Sequence, residues 1–143
     1  MPDKSYTARC ACGAVEIEVS GDPIAQAYCH CVDCRAWLSA PVHGATLWPP
    51  QSVKFIKGKD NLILYKRTEN SHRMSCKSCG AAVLSDHPDA GFTDVLAATM
   101  PDFPFAPAMH VFYGEKMIPI KDGLPKFTDM PAEFGGSGQM AAE

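Results

Sequence analysis

The sequence predicts a small, single-domain, mainly β protein with short sheets and few or no long helices. Three observations carry this. Apolar and polar residues alternate in short runs, the period of a half-buried strand. Eleven glycines and 12 prolines among 143 residues supply frequent turns. No stretch keeps the 3.6-residue apolar period of a long amphipathic helix. The length suits one domain.

Taken in order, Ala14-Val15-Glu16-Ile17-Glu18-Val19 alternates and is followed by the turn Gly21-Asp22-Pro23. Cys34 to Ser39 has room for one helical turn. Trp48-Pro49-Pro50-Gln51 turns the chain into a strand at Ser52–Ile56. Lys57-Gly58-Lys59-Asp60-Asn61 turns it again, into the strand-like Asn61–Arg67. Pro101, Pro104 and Pro107 interrupt regular structure. Met109–Tyr113 alternates once more, and Asp122-Gly123-Leu124-Pro125 reads as a turn. Gly135-Gly136-Ser137-Gly138 opens a segment expected to be a flexible tail, which puts the domain at 1–134 and the tail at 135–143.

Composition excludes several classes. Hydrophobic residues at 46% and charged residues at 20% exclude wholesale disorder. The run Leu62-Ile63-Leu64-Tyr65 is too short to span a bilayer. Met1 to Arg9 is polar and lacks the apolar core of a secretory signal, so a cytoplasmic setting is expected. A net charge of −3 argues against nucleic acid as a partner.

Seven cysteines are the anomaly. In a reducing compartment, clustered thiols read as metal ligands or reactive groups. They fall as Cys10-Ala11-Cys12-Gly13, Cys29-His30-Cys31-Val32-Asp33-Cys34-Arg35 and Cys76-Lys77-Ser78-Cys79-Gly80. A short Cys-to-Cys turn lets two sulfurs reach one tetrahedral ion, and the glycine behind it tolerates the turn's positive φ. One grouping sets Cys10, Cys12, Cys76 and Cys79 on a closed site and leaves Cys29, Cys31 and Cys34 on a site with an open position. The other is a zinc ribbon of Cys31, Cys34, Cys76 and Cys79, although the 41 residues from 35 to 75 exceed the usual ribbon spacing.

These clusters, with Ser39-Ala40-Pro41, Asn61–Arg67 and Ile120–Phe127, resemble the glutathione-dependent formaldehyde-activating family, whose domain is shared with centromere protein V. The resemblance runs from about Tyr6 to Phe127. It implies a zinc-binding β-tent fold. It also implies a structural zinc on Cys10, Cys12, Cys76 and Cys79, and a second, more labile zinc on Cys29, Cys31 and Cys34. The implied activity is that of a carbon–sulfur lyase, reversibly joining glutathione or a similar small thiol to formaldehyde or another small aldehyde. A three-thiolate zinc is a weak Lewis acid, so holding an incoming thiolate suits it better than activating water.

Two neighbours of the middle cluster are candidates for catalysis. His30 is placed to supply a proton, although an extended turn would aim its ring away from the sulfurs. Arg35 is placed to offset the anionic centre or to bind a substrate carboxylate. His110 in its strand and Trp48 read as structural. Two other functions remain open: a non-catalytic zinc-binding interaction module, and a redox or zinc-buffering protein.

Overall fold

A computed structural model describes residues 4–143. Strands hold 40% of the chain and helical turns 14%, which makes the protein mainly β. One short helix, α1 (Val32–Leu38), is the longest helical element among the described residues. No helix there is long and apolar enough to cross a membrane. The chain divides into two compact units, residues 1–25 with 46–105, and residues 26–45 with 106–143.

In the first unit, β1 (Ser5–Arg9), β2 (Glu16–Ser20) and β5 (Val53–Lys57) form a three-stranded antiparallel sheet in the order β1-β2-β5. The predicted alternation in β2 is what orients it. Ile17 and Val19 are fully buried while Glu18 between them is exposed, and Ala8 lies opposite Ile17 on β1. Each such burial contributes roughly 1.5–3 kcal/mol. A second antiparallel group follows the order β6 (Leu62–Thr68), β7 (Ser71–Cys76), β8 (Ala82–His87) and β9 (Phe92–Leu96). The core of this unit joins Ile17, Val19, Val83, Leu84 and Val95 to Trp48 and Phe103, and it includes Cys10 and Cys76. Trp48 is core, as its apolar setting suggests, and its indole N–H donates to Thr46 Oγ1 at 2.8 Å.

In the second unit, β3 (Ala25–Cys29) pairs in parallel with β10 (Met109–Val111), setting His110 opposite Tyr28 and Val111 opposite Cys29. The expected strand 109–113 stops early. Phe112 takes a left-handed conformation at φ 53°, and Tyr113–Glu115 forms a 3-10 turn. The apolar core here is small, built on Ala27, Cys29 and Val111. Buried polar groups fill the rest: His30, His110 and Lys126 are each at most 1% exposed. Met140 bridges Phe127, Ala141 N–H donates to the Lys126 carbonyl at 2.8 Å, and the Glu143 carboxylate accepts from Lys126.

Candidate active site and metal centres

Cys10 and Cys76 sit in two loops of like construction. Cys10 N–H donates to the Val15 carbonyl at 3.2 Å and Cys76 N–H to the Ala81 carbonyl at 2.9 Å, five residues on in each case. Gly13 and Gly80 take φ of 79° and 77°, which lets each loop turn back toward its sulfurs. Cys10, Cys12, Cys76 and Cys79 come together, with all four sulfurs within 4.8 Å of one another. Cys10 Sγ lies 3.7 Å from Cys12 Sγ, which lies 3.9 Å from Cys76 Sγ. Four sulfurs sharing a tetrahedral ion at about 2.3 Å would stand about 3.8 Å apart.

Backbone amides favour charge on these sulfurs. Val15 N–H donates to Cys10 Sγ at 3.2 Å. N–H groups of Ala81 and Cys12 pull the Cys79 thiol down to about 6. The buried half of the cluster is anchored in the core, whereas Cys12 and Cys79 are exposed.

Cys29, Cys31 and Cys34 form the second cluster, again within 4.8 Å, with Cys29 Sγ 3.7 Å from Cys34 Sγ. Cys31 and Cys34 therefore stand with Cys29, not in a ribbon with Cys76 and Cys79. The parallel β3–β10 pair presents Cys29, and Cys31 caps α1 by accepting the Cys34 N–H at 3.2 Å. Thiolates crowded this closely repel. The sulfurs of Cys31 and Cys34, with burial, hold the Cys29 thiol well above its ordinary range. A bound cation relieves that repulsion, so the donor set suits a soft metal ion. No disulfide joins any of the seven cysteines, all of which are among the described residues.

His30, between Cys29 and Cys31 in sequence, opens a buried polar chain. His30 Nε2 lies 2.8 Å from His110 Nδ1, and His110 Nε2 lies 2.7 Å from Asp122 Oδ2. The other Asp122 oxygen accepts from Lys126, which also donates to Glu143. Lys126 and then His110 hold the Asp122 carboxyl well below the usual range, against the opposing effect of burial. A carboxylate only accepts, so His110 donates from Nε2. In the arrangement with one proton on the His110 ring, its Nδ1 accepts and His30 donates from its own Nε2. Burial, with His110 and the cations Lys116, Arg35 and Lys126, pushes His30 down to about 4, which keeps its ring neutral near pH 7. In that arrangement His30 Nδ1 carries the ring's lone pair, and this atom is buried without a hydrogen-bond partner. That atom is not among the mutually close cysteine sulfurs.

Arg35 braces the same region. Its Nε donates to the His30 carbonyl at 3.0 Å and its Nη2 to the Glu115 carbonyl at 2.9 Å. Glu115 in turn accepts the Val32 N–H at 3.0 Å. The sequence reading missed Asp122 and Lys126 as part of this chain. The signal was present in Ile120–Phe127, which contains both.

Fold and site together define a small, mainly β chain with one four-cysteine and one three-cysteine cluster, each of which could hold a metal ion. Residues 5–115 match the family described as glutathione-dependent formaldehyde-activating enzyme, and the chain belongs to that family. An uncharacterized lyase of Schizosaccharomyces pombe is 28% identical over 83 residues, 58% of this chain and 57% of the relative. The aligned region thus spans little more than half of that relative's length. A Rhodobacter sphaeroides protein of known crystal structure, 23% identical, matches with a TM-score of 0.57 over 68% of this chain and 89% of its own, and shares the fold.

Proposed function

We propose that this chain is a zinc-dependent carbon–sulfur lyase that reversibly adds a small thiol, glutathione or a relative of it, to formaldehyde or another small aldehyde. The observation that carries the reading is the three-cysteine cluster, with the buried His30 between two of its cysteines in sequence. Family membership and the lyase relative support it. Zinc held by Cys29, Cys31 and Cys34 would lower the pKa of an incoming thiol and fix its sulfur. Cys10, Cys12, Cys76 and Cys79 would hold a structural zinc.

In the forward direction a carbon–sulfur bond forms at the aldehyde carbon. The carbonyl π pair moves to oxygen, which takes up the proton the thiol has lost. His30 Nδ1 takes the proton from the incoming thiol, delivers it to that oxygen, and then accepts the hydrogen bond of the hydroxyl formed. In reverse it receives the proton as the carbon–sulfur bond breaks. Asp122, through His110, keeps the His30 proton on Nε2 and the lone pair on Nδ1. Arg35 holds the backbone at His30 and Glu115 so that the ring stays in place. Seven cysteines with no disulfide among them suit a reducing, cytoplasmic setting.

The test is exchange spectroscopy with carbon-13 formaldehyde and glutathione, on protein shown by native mass spectrometry to carry two zinc ions. Accelerated exchange is expected. Two-zinc protein that leaves the exchange rate at its background, with glutathione and with smaller thiols, overturns the reading. Asp122→Asn tests the histidine chain. It should lower kcat about 10- to 100-fold with KM little changed and both metals retained, part of the roughly 10²–10⁴-fold that a positioned acid or base usually contributes. A folded Asp122→Asn protein with the wild-type kcat and pH profile removes the chain from the mechanism.

A further inference from the structure

Three hydrogen bonds converge on one oxygen, Glu143 Oε2. It accepts the N–H groups of Asp122 and Gly123, each at 2.9 Å, and the Lys126 ammonium. Successive backbone N–H groups aimed at one point make a concavity that favours an anion. Lys126 is 1% exposed, and its ammonium has three donors to place. They go to Asp122 Oδ1, to the Leu124 carbonyl at 3.0 Å and to Glu143 Oε2. Asp122 Oδ1 also accepts the Leu124 N–H at 3.0 Å. That oxygen is then engaged twice, and Oδ2 is left to His110. Glu143 thus holds Asp122 in two ways, by the backbone at 122 and 123 and by the lysine on Oδ1.

The charges point the same way. Asp122 and Lys126 alone make a neutral pair. Lys126, then the Gly123 N–H, hold the Glu143 carboxyl below its usual range, so it is ionised near pH 7 and leaves the trio net negative beside His110. A buried ammonium offered a single carboxylate draws on both of its oxygens, whereas a second carboxylate lets Asp122 keep one for the imidazole. We propose that Glu143 is a positioning residue: it fixes Asp122 with Oδ2 toward His110, and so fixes the proton on His110 Nε2. The placing of Asp122 stands on these contacts. Its effect on catalysis rests on the lyase reading proposed above.

Glu143→Gln tests this, because glutamine keeps the size and removes the charge at a side chain that is 40% exposed. On protein labelled with nitrogen-15 histidine, the His110 imidazole proton should exchange slowly with water in wild type, since the ring is fully buried. In Glu143→Gln it should exchange at least about tenfold faster. The same variant should lower kcat about 2- to 30-fold with KM little changed, the size of a coupling carried through an intervening group. Glu143 acts through Asp122, so adding Glu143→Gln to Asp122→Asn should slow turnover no further. A His110 proton that exchanges as in wild type overturns the proposal. So does a double variant slower than Asp122→Asn by the full Glu143→Gln factor, which is what two independent losses give. An unfolded Glu143→Gln protein overturns it too, since Glu143 would then hold the fold rather than the aspartate. Two-zinc wild type without thiol–aldehyde exchange removes the lyase reading alone, and the histidine proton still decides the placing of Asp122.

Discussion

Cys31→Ser is expected to reduce thiol–aldehyde exchange by well over a hundredfold and still give a folded protein carrying one zinc. The two halves of that expectation have separate causes. Cys31 does two things in the structure: its sulfur joins the three-cysteine cluster, and it caps α1 by accepting the Cys34 N–H. Serine is among the best capping residues, so the variant keeps the helix start. The serine hydroxyl is a poor ligand for a soft metal site, and two thiolates alone hold zinc weakly. Losing a direct ligand should exceed the 10- to 100-fold cost of losing a supporting group. Exchange rate, zinc per chain by native mass spectrometry and a melting curve check this together. A Cys31→Ser protein that exchanges as fast as wild type would remove the three-cysteine cluster from the reaction.

How much of this was readable in advance depends on how local each feature is. The alternation in Ala14–Val19 is local, and so is its outcome: Val15, Ile17 and Val19 are all fully buried. The glycines behind Cys12 and Cys79 announce their turns in the same way, because the φ they allow is set within a few residues. Strand β1, by contrast, has only Ala8 fully buried, and β6 has no buried face at all. Such strands take their place from backbone pairing with neighbours far along the chain, which periodicity does not record. The end of β10 at Val111 turns on one residue, Phe112, adopting a left-handed conformation that an aromatic side chain does not signal.

The site divides along the same line. Cys29, Cys31 and Cys34 are close in sequence, and their spacing is itself the message. Their supporting chain is not close: His30, His110, Asp122, Lys126 and Glu143 span more than a hundred residues. What joins them is the parallel pairing of β3 with β10, which sets His110 opposite Tyr28, two residues before His30. The segment ending at Lys126 then lies along β10, where His110 N–H donates to the Pro125 carbonyl at 2.9 Å. A lone histidine in an apolar strand reads as structural from sequence. Only the approach of Asp122 Oδ2 to 2.7 Å gives its proton a fixed address.

Cys76→Ser should act on stability before it acts on chemistry. Cys76 ends β7, is fully buried, and belongs to the same core as Ile17 and Trp48. Its sulfur lies 3.9 Å from Cys12 Sγ, 64 residues earlier, and accepts from Asn61 Nδ2 at 3.5 Å. A metal shared by these cysteines would act as a cross-link over that span. Treated as a loop closure of this length, the cross-link alone is worth about 4 kcal/mol. That is a large fraction of the roughly 5–15 kcal/mol by which a domain is usually stable. A buried hydroxyl in place of the thiolate adds a further cost, because it meets sulfurs in a setting shaped for a shared cation. The variant should therefore be insoluble, or melt at least about 10 °C lower and less cooperatively, with exchange activity lost along with the fold. Cys31→Ser provides the contrast, since it removes a ligand from the other cluster and should leave the melting curve nearly intact. If soluble Cys76→Ser melts cooperatively within a few degrees of wild type, the four-cysteine cluster does not hold this fold together, and its four-sulfur geometry must then serve the reaction or a partner instead.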